Sequence, residues 1–333
     1  MRRLLRVELT RLLWRRAVLL LLAASVVIPV VIGVATVWNT QPPSAADKQR
    51  IDTLVAEERE SPQVQRDLAQ CIEQPNQWGV DPDADDVRAQ CEEFILPQPE
   101  WFADYRELDL AEEREQGSGF GVVVIVTLLM VLAGTTFAGN DWNSGSMSNQ
   151  LLFEPRRGRV WAAKGLVVLA GAFAVSAVVF TAYWFALFAV ARSRDLPSGN
   201  ALLLDCLQQG WRGALVVACA ALGGYALTML FRSTVATLGV LFAVAVAGGM
   251  LVAALGIGER WQPQVNLTAV VLDGTTYFVE VPQECYGMQP PDDLTLCDDQ
   301  RELSLEQGGG YLGVLLVLGI VPSALSFRRR DVP

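Results

Sequence analysis

The side chains best placed by type and spacing to do chemistry are two pairs of cysteines and a charged run, "EPRRGRVWAAKG", at 154–165. Cys71 and Cys91 share one polar segment and Cys285 and Cys297 share another. Thiols so placed form local disulfides where the compartment is oxidising. Spacing alone leaves their connectivity open, with four free thiols as the competing reading. Cys206 and Cys219 fall in or beside an apolar run and read as packing residues. A further signal is "DPDADDVRAQCE", 81–92, where Asp81, Asp83, Asp85 and Glu92 occupy calcium-loop positions 1, 3, 5 and 12. Asp86 stands where that loop needs glycine, and acids at a helix start account for the same residues, so no metal site is assigned.

The chain has no histidine, which removes the commonest proton shuttle and metal ligand. It also has no G-x-x-x-x-G-K-[ST] phosphate loop and no H-E-x-x-H sequence. No nucleophile, base or metal cluster stands out in its apolar runs, so it reads as a non-enzyme without a cofactor of its own. Anything moved uphill by this chain must draw its energy from another one.

The elements that carry these residues are apolar blocks. Of 333 residues 52% are hydrophobic, and windows free of Asp, Glu, Lys and Arg run over 17–46, 116–140, 165–191, 213–231, 233–258 and 307–327. A membrane-crossing helix needs about 20 mainly apolar residues. The pattern predicts an all-α polytopic membrane protein with six transmembrane helices at 17–38, 119–139, 161–191, 211–231, 234–256 and 311–327. The first run is longer than a signal-peptide core and reads as a retained anchor. Ion-driven pumps carry ionisable residues deep within their spans, and the span interiors here have none.

Positive charge sets the expected orientation, because Lys and Arg in short loops resist translocation. With the N terminus inside, the inner pieces carry Arg2, Arg3, Arg6, Arg11, Arg15 and Arg16 in segment 1–16, and Arg156, Arg157, Arg159 and Lys164 around loop 140–160. Arg232 and the tail 328–333, with Arg328, Arg329 and Arg330, complete them. Glu8, Asp141, Glu154 and Asp331 are the only acids there, so the excess behind the net charge of −10 falls in segments 39–118 and 257–310. Both termini are therefore expected in the cytoplasm. Arginine outnumbers lysine 24 to 2, a bias that suggests a high-GC bacterial source and hence the bacterial cell membrane.

Segment 39–118 is rich in helix formers and predicts an extracytoplasmic helical hairpin bringing Cys71 to Cys91. Segment 257–310 contains "NLTAVVLDGTTYFVEVP", whose alternation around Asp273-Gly274 predicts a β-hairpin with strands near 267–272 and 275–281. The stretch "RRLLRVELTRLLWRR" places Leu5, Leu9, Leu12 and Leu13 on one stripe, as in an interfacial helix. In "AGNDWNSGSMSNQLLFEPRRGRVWAAKG", 138–165, a short surface helix is expected, capped by Asn140 or Asp141, with Met147 and Leu151 on one face and Pro155 ending it. The arginines after it would sit at headgroup depth beside membrane lipid.

That segment resembles the coupling-helix region of ABC-2 type transporter permeases. The family's pattern of an acid, Gly-Thr, Leu-Leu, Pro-x-Arg and Lys maps to Asp141, Gly145, Ser146, Leu151, Leu152, Pro155, Arg157 and Lys164. Asp141 stands where glutamate is usual and Ser146 where threonine is usual. The match covers about 25 residues, and the six spans and basic N-terminal helix are similar to the family's layout. The resemblance implies a permease subunit of an exporter, worked by a separate ATP-binding subunit that holds ATP and Mg, and paired with a second permease chain. In it Gly145 permits close approach to the partner, Leu151 and Leu152 anchor the helix, and Asp141 pairs with Arg157 or Lys164. Two other readings remain open at this point. One is an ABC-2-like permease that passes ATP-driven motion to extracytoplasmic partners; the other is an unrelated membrane receptor or scaffold. No nucleic-acid partner is expected.

Overall fold

A computed structural model describes residues 1–81, 86–102, 106–255, 258–279, 281, 285 and 297–330. The chain is mainly helical and divides into two compact units, one of Met1–Val34 with Asp109–Pro333 and one of Ala35–Leu108.

The larger unit begins with α1 (Arg2–Trp14) and α2 (Arg16–Asn39), the latter running into the second unit. It resumes with α6 (Leu110–Glu115), α7 (Ser118–Asn143), α8 (Ser146–Phe153), α9 (Arg157–Ser193), α10 (Asn200–Phe231), α11 (Thr234–Ala254), α12 (Pro263–Leu272) and α13 (Leu305–Arg329). Among the described residues, five stretches are long and apolar enough to cross a membrane: α2, Leu110–Asn143, α9, α10 and α13. α11 falls on the fifth expected span, 234–256, and its described apolar stretch is Thr234–Gly248. α10 starts at Asn200, well before the expected 211, and the larger unit takes in α6, which the sequence reading assigned to segment 39–118.

The core of the larger unit is α7, α9 and α10, and small residues let their backbones approach. A Cβ added at Gly134 of α7 would collide with the carbonyl of Ala221 on α10, and one at Gly213 would lie 2.9 Å from Val123 Cγ2. Hydrogen bonds then tie the neighbouring helices: Tyr225 donates to the Trp161 carbonyl at 2.9 Å and Ser323 of α13 to the Ala226 carbonyl at 2.6 Å. α6 prepares the start of α7, since the Glu113 carboxylate accepts from the Ser118 amide at 2.7 Å.

The expected β-hairpin is corrected. Residues 263–272 form α12, while β1 (Thr275–Phe278) pairs antiparallel with β2 (Gln300–Leu303), Thr275 opposite Leu303. Pro263 at the first helical position starts α12, and Asn266 and Ala269 close on Gly308 of α13, where an added Cβ would lie 2.8 Å from the Asn266 carbonyl. That packing outweighs the β preference of the valines. Asp273, left-handed at φ 72°, ends the helix, and Gly274 follows at φ 124°, so the Asp-Gly pair acts as a helix stop. Glu280, at the end of the expected second strand, lies outside the described residues. Asn266, the acceptor of a glycosylation pattern, is buried and donates to the Arg260 and Gln262 carbonyls.

The second unit holds α3 (Ala45–Arg59), α4 (Pro62–Glu73) and α5 (Val87–Ile95). Ser44 and Asp47 form a capping box at α3, and the Ser44 hydroxyl holds the Asp47 carboxyl below its ordinary range. Asp86 caps α5, its carboxylate accepting from the Ala89 amide at 2.9 Å. Asp83 and Asp85 of the calcium-like pattern lie outside the described residues. Cys71 and Cys91 are bonded, and around them Val80, Leu68, Trp78, Val87 and Ile95 make the unit's small core. The other disulfide, Cys285 to Cys297, belongs to the larger unit.

A core this small depends on its staple. Closing a loop across 20 residues of sequence separation restricts the unfolded chain by about 3 kcal/mol. Replacing both Cys71 and Cys91 by serine is expected to speed native-state proteolysis within 45–101 by about a hundred-fold, read by cleavage kinetics of the full chain.

Candidate functional site

Four helices bring their polar residues to one place at the α1 and α8 end of the larger unit. On α1, Glu8, Arg11 and Leu12 fall at helical spacings of three and four, so they share a face, and Arg15 follows at the C-cap, where the backbone turns extended. Phe137 and Asp141 repeat this four apart on α7, as do Ser146 and Gln150 on α8. Lys164 lies two turns into α9.

The centre is Lys164, fully buried, its Nζ 2.8 Å from Glu8 Oε2 and 2.6 Å from Asp141 Oδ2. Both carboxylates are also fully buried. Arg15 donates to Asp141 Oδ1 and to the Phe137 carbonyl, and its guanidinium lies over the Phe137 ring at 4.8 Å. Ser146 Oγ donates to Asp141 Oδ1 at 2.6 Å. Gln150 Nε2 donates to Glu8 Oε1, while its own carbonyl accepts from Arg11 Nη1 at 3.0 Å. Two acids thus face Lys164 and Arg15, with the half-exposed Arg11 at the rim, 3.8 Å from Glu8. Each buried carboxylate oxygen has a donor.

This arrangement fixes geometry. Two carboxylates buried beside one ammonium are tolerable only while every partner is present, because each lost partner strands a charge out of water. The cluster therefore behaves as a four-way joint between α1, α7, α8 and α9. Among the described residues, no group of three metal-ligating side chains occurs elsewhere either.

The residues singled out in the sequence do not all meet. Asp141, Ser146 and Lys164 meet in the cluster, and Asp141 pairs with Lys164. Arg157 does not reach Asp141; its Nη1 donates to the Arg330 carbonyl. Asn140 and Asp141 do not cap α8, because both remain within α7 and Gly145 occupies the N-cap position. Gly145 is left-handed at φ 67° with open space within this chain where a Cβ would be, so the backbone conformation itself favours glycine. Met147 is buried and Leu151 half-buried, while Leu152 and Phe153 are 79% and 91% exposed. Leu152 therefore does not anchor α8 to the bundle. The chain leaves α8 at Glu154, and Pro155 separates it from α9.

Glu8, Arg11 and Arg15 were read only as charges that set the orientation, and Gln150 and Phe137 were not assigned to a site. The signal was present in segment 1–16, where Glu8 is the one acid among six arginines, three and seven residues from Arg11 and Arg15. The stripe of α1 leucines directed attention to the wrong face: Glu8 and Leu12 are buried, whereas Leu9 and Leu13 are nearly half exposed.

Comparison of the chain with protein-family models, curated proteins and solved structures gives no match.

Lys164→Met leaves Glu8 and Asp141 facing each other without their shared cation. We expect it to cost about 3–5 kcal/mol, read as a lower thermal midpoint of the purified protein. Adding Glu8→Gln and Asp141→Asn is expected to restore most of the loss, since it removes the stranded charges.

Proposed function

We propose that the chain is the membrane-spanning permease subunit of an ATP-driven ABC-2 type exporter, powered by a separate ATP-binding subunit. In this reading α11 is the remaining span, giving six, its 21 residues being long enough to cross the hydrocarbon core. The arginine-rich ends favour an orientation with both termini and α8 in the cytoplasm of a bacterial cell, and in this reading a second permease chain completes the pathway.

One observation carries the reading. α8 stands between two apolar helices of spanning length, is locked to the bundle by Ser146 and Gln150, and turns Leu152 and Phe153 outward. Two adjacent large apolar side chains so exposed at the end of a rigid short helix suit insertion into a partner's cleft. A rigidly held helix also passes a push to the spans it joins without bending. The ATP-binding subunit supplies that push and binds the nucleotide and its Mg. Asp141 and Lys164 then work as positioning residues, holding α8 at a fixed angle to α7 and α9.

The test is affinity purification from native membranes with identification of any stoichiometric partner. The wild type should bring a soluble chain bearing a phosphate-loop sequence. Phe153→Asp, at a position 91% exposed, should fold normally and weaken that association by about thirty-fold or more. A wild type that arrives with no ATP-binding chain refutes the reading and favours a receptor or scaffold.

A further inference from the structure

Where α9 begins and α13 ends, the surface is hollowed into an open cavity of about 700 Å³. Its walls carry Arg156, Arg157, Arg159 and Arg328, with Trp161 and Pro155 beside them. The arginines come from chain segments about 170 residues apart, so the fold, and not local sequence alone, assembles them. No acidic side chain lines the cavity among the described residues.

The walls are built. Arg157 Nη1 donates to the Arg330 carbonyl, tying the start of α9 to the end of α13. Trp161 is held by its Nε1 donating to Ser323 Oγ at 3.2 Å and by its ring against Tyr225, centroids 5.6 Å apart. Arg328 lies alongside Gly158, where an added Cβ would be 3.8 Å from its Cδ, so the small residue leaves room for that side chain across the gap. The guanidiniums of Arg156, Arg159 and Arg328 around this concavity, with Arg157 in its wall, make a strong field for an anion with several oxygens, because a guanidinium presents a planar fork of donors. α9 and α13 are both of membrane-spanning length and the cavity lies at their ends, the depth of lipid headgroups. An indole on the wall suits the same depth.

We propose that this cavity is a binding site for a phosphate-bearing anion at the membrane surface, the phosphodiester of an acidic lipid headgroup being the source that its depth favours. It does not depend on the exporter reading. Occupancy would draw α9 and α13 together and bear on the first turn after α8.

The test uses the full chain in neutral detergent and native mass spectrometry. Phosphatidylglycerol, phosphatidylcholine and inorganic pyrophosphate are titrated separately. Wild type should hold phosphatidylglycerol at least about ten-fold more tightly than phosphatidylcholine. The exposed pair Arg159→Gln with Arg328→Gln should weaken it about twenty-five-fold, about five-fold for each arginine. A charge-matched control, Arg3→Gln with Arg6→Gln on the exposed side of α1, should leave it unchanged. Pyrophosphate binding with the same dependence on Arg159 and Arg328, but without lipid binding, sustains the site and assigns it a soluble source. No binding of either anion, or equal loss in the control pair, overturns the proposal.

Discussion

Two carboxylates and one ammonium with no exposed surface hold the α1 and α8 end of this protein in one geometry. The Lys164 stem rises from α9 to meet Glu8 of α1 and Asp141 of α7, and α8 is joined through Ser146 and Gln150. Buried ion pairs are poor sources of net stability, since desolvation offsets most of their attraction. Their strength is intolerance: an alternative packing of α1 or α8 would leave a charge or an amide unpaired. An apolar contact at the same place would allow sliding, whereas this one permits one register.

The rest of the larger unit meets different demands. α7, α9 and α10 approach closely because glycines face backbone at their crossings, as at Gly134 beneath Ala221 and Gly224 beside Val131, where an added Cβ would lie 3.0 Å from the carbonyl. Apolar packing of this kind supplies a firm bundle without fixing how a short connecting helix projects from it. The cluster supplies that direction, and Gly145 supplies the reversal that begins α8. The second unit solves its own problem with a disulfide, because its core is too small to hold two short helices together otherwise.

How far this was legible follows from the range of each interaction. The long apolar helices could be read because spanning length and composition are local properties, and Cys71 with Cys91 could be read because they sit in neighbouring helices. The Asp141 and Lys164 pair was within reach, since both residues stand in one recognisable segment. Glu8 was not, because it lies 156 residues from Lys164 and nothing local says that an acid on a basic helix will be buried. The segment before Asp273-Gly274 misled for a related reason. Short runs of valine and leucine suit strand or helix, and the choice fell to Gly308, far along the chain, which offers α12 a close seat.

Hydrogen–deuterium exchange of α8 and α1 in wild type and Glu8→Gln tests most directly whether the cluster sets the position of α8. Glutamine keeps the shape but removes the charge that Lys164 and Gln150 address. If the cluster is the joint, amides of Met147–Phe153 and of α1 should both exchange at least about ten-fold faster, while those of α3–α5 stay unchanged. Unaltered protection of α8 in that variant would contradict the account and leave its position to apolar packing alone.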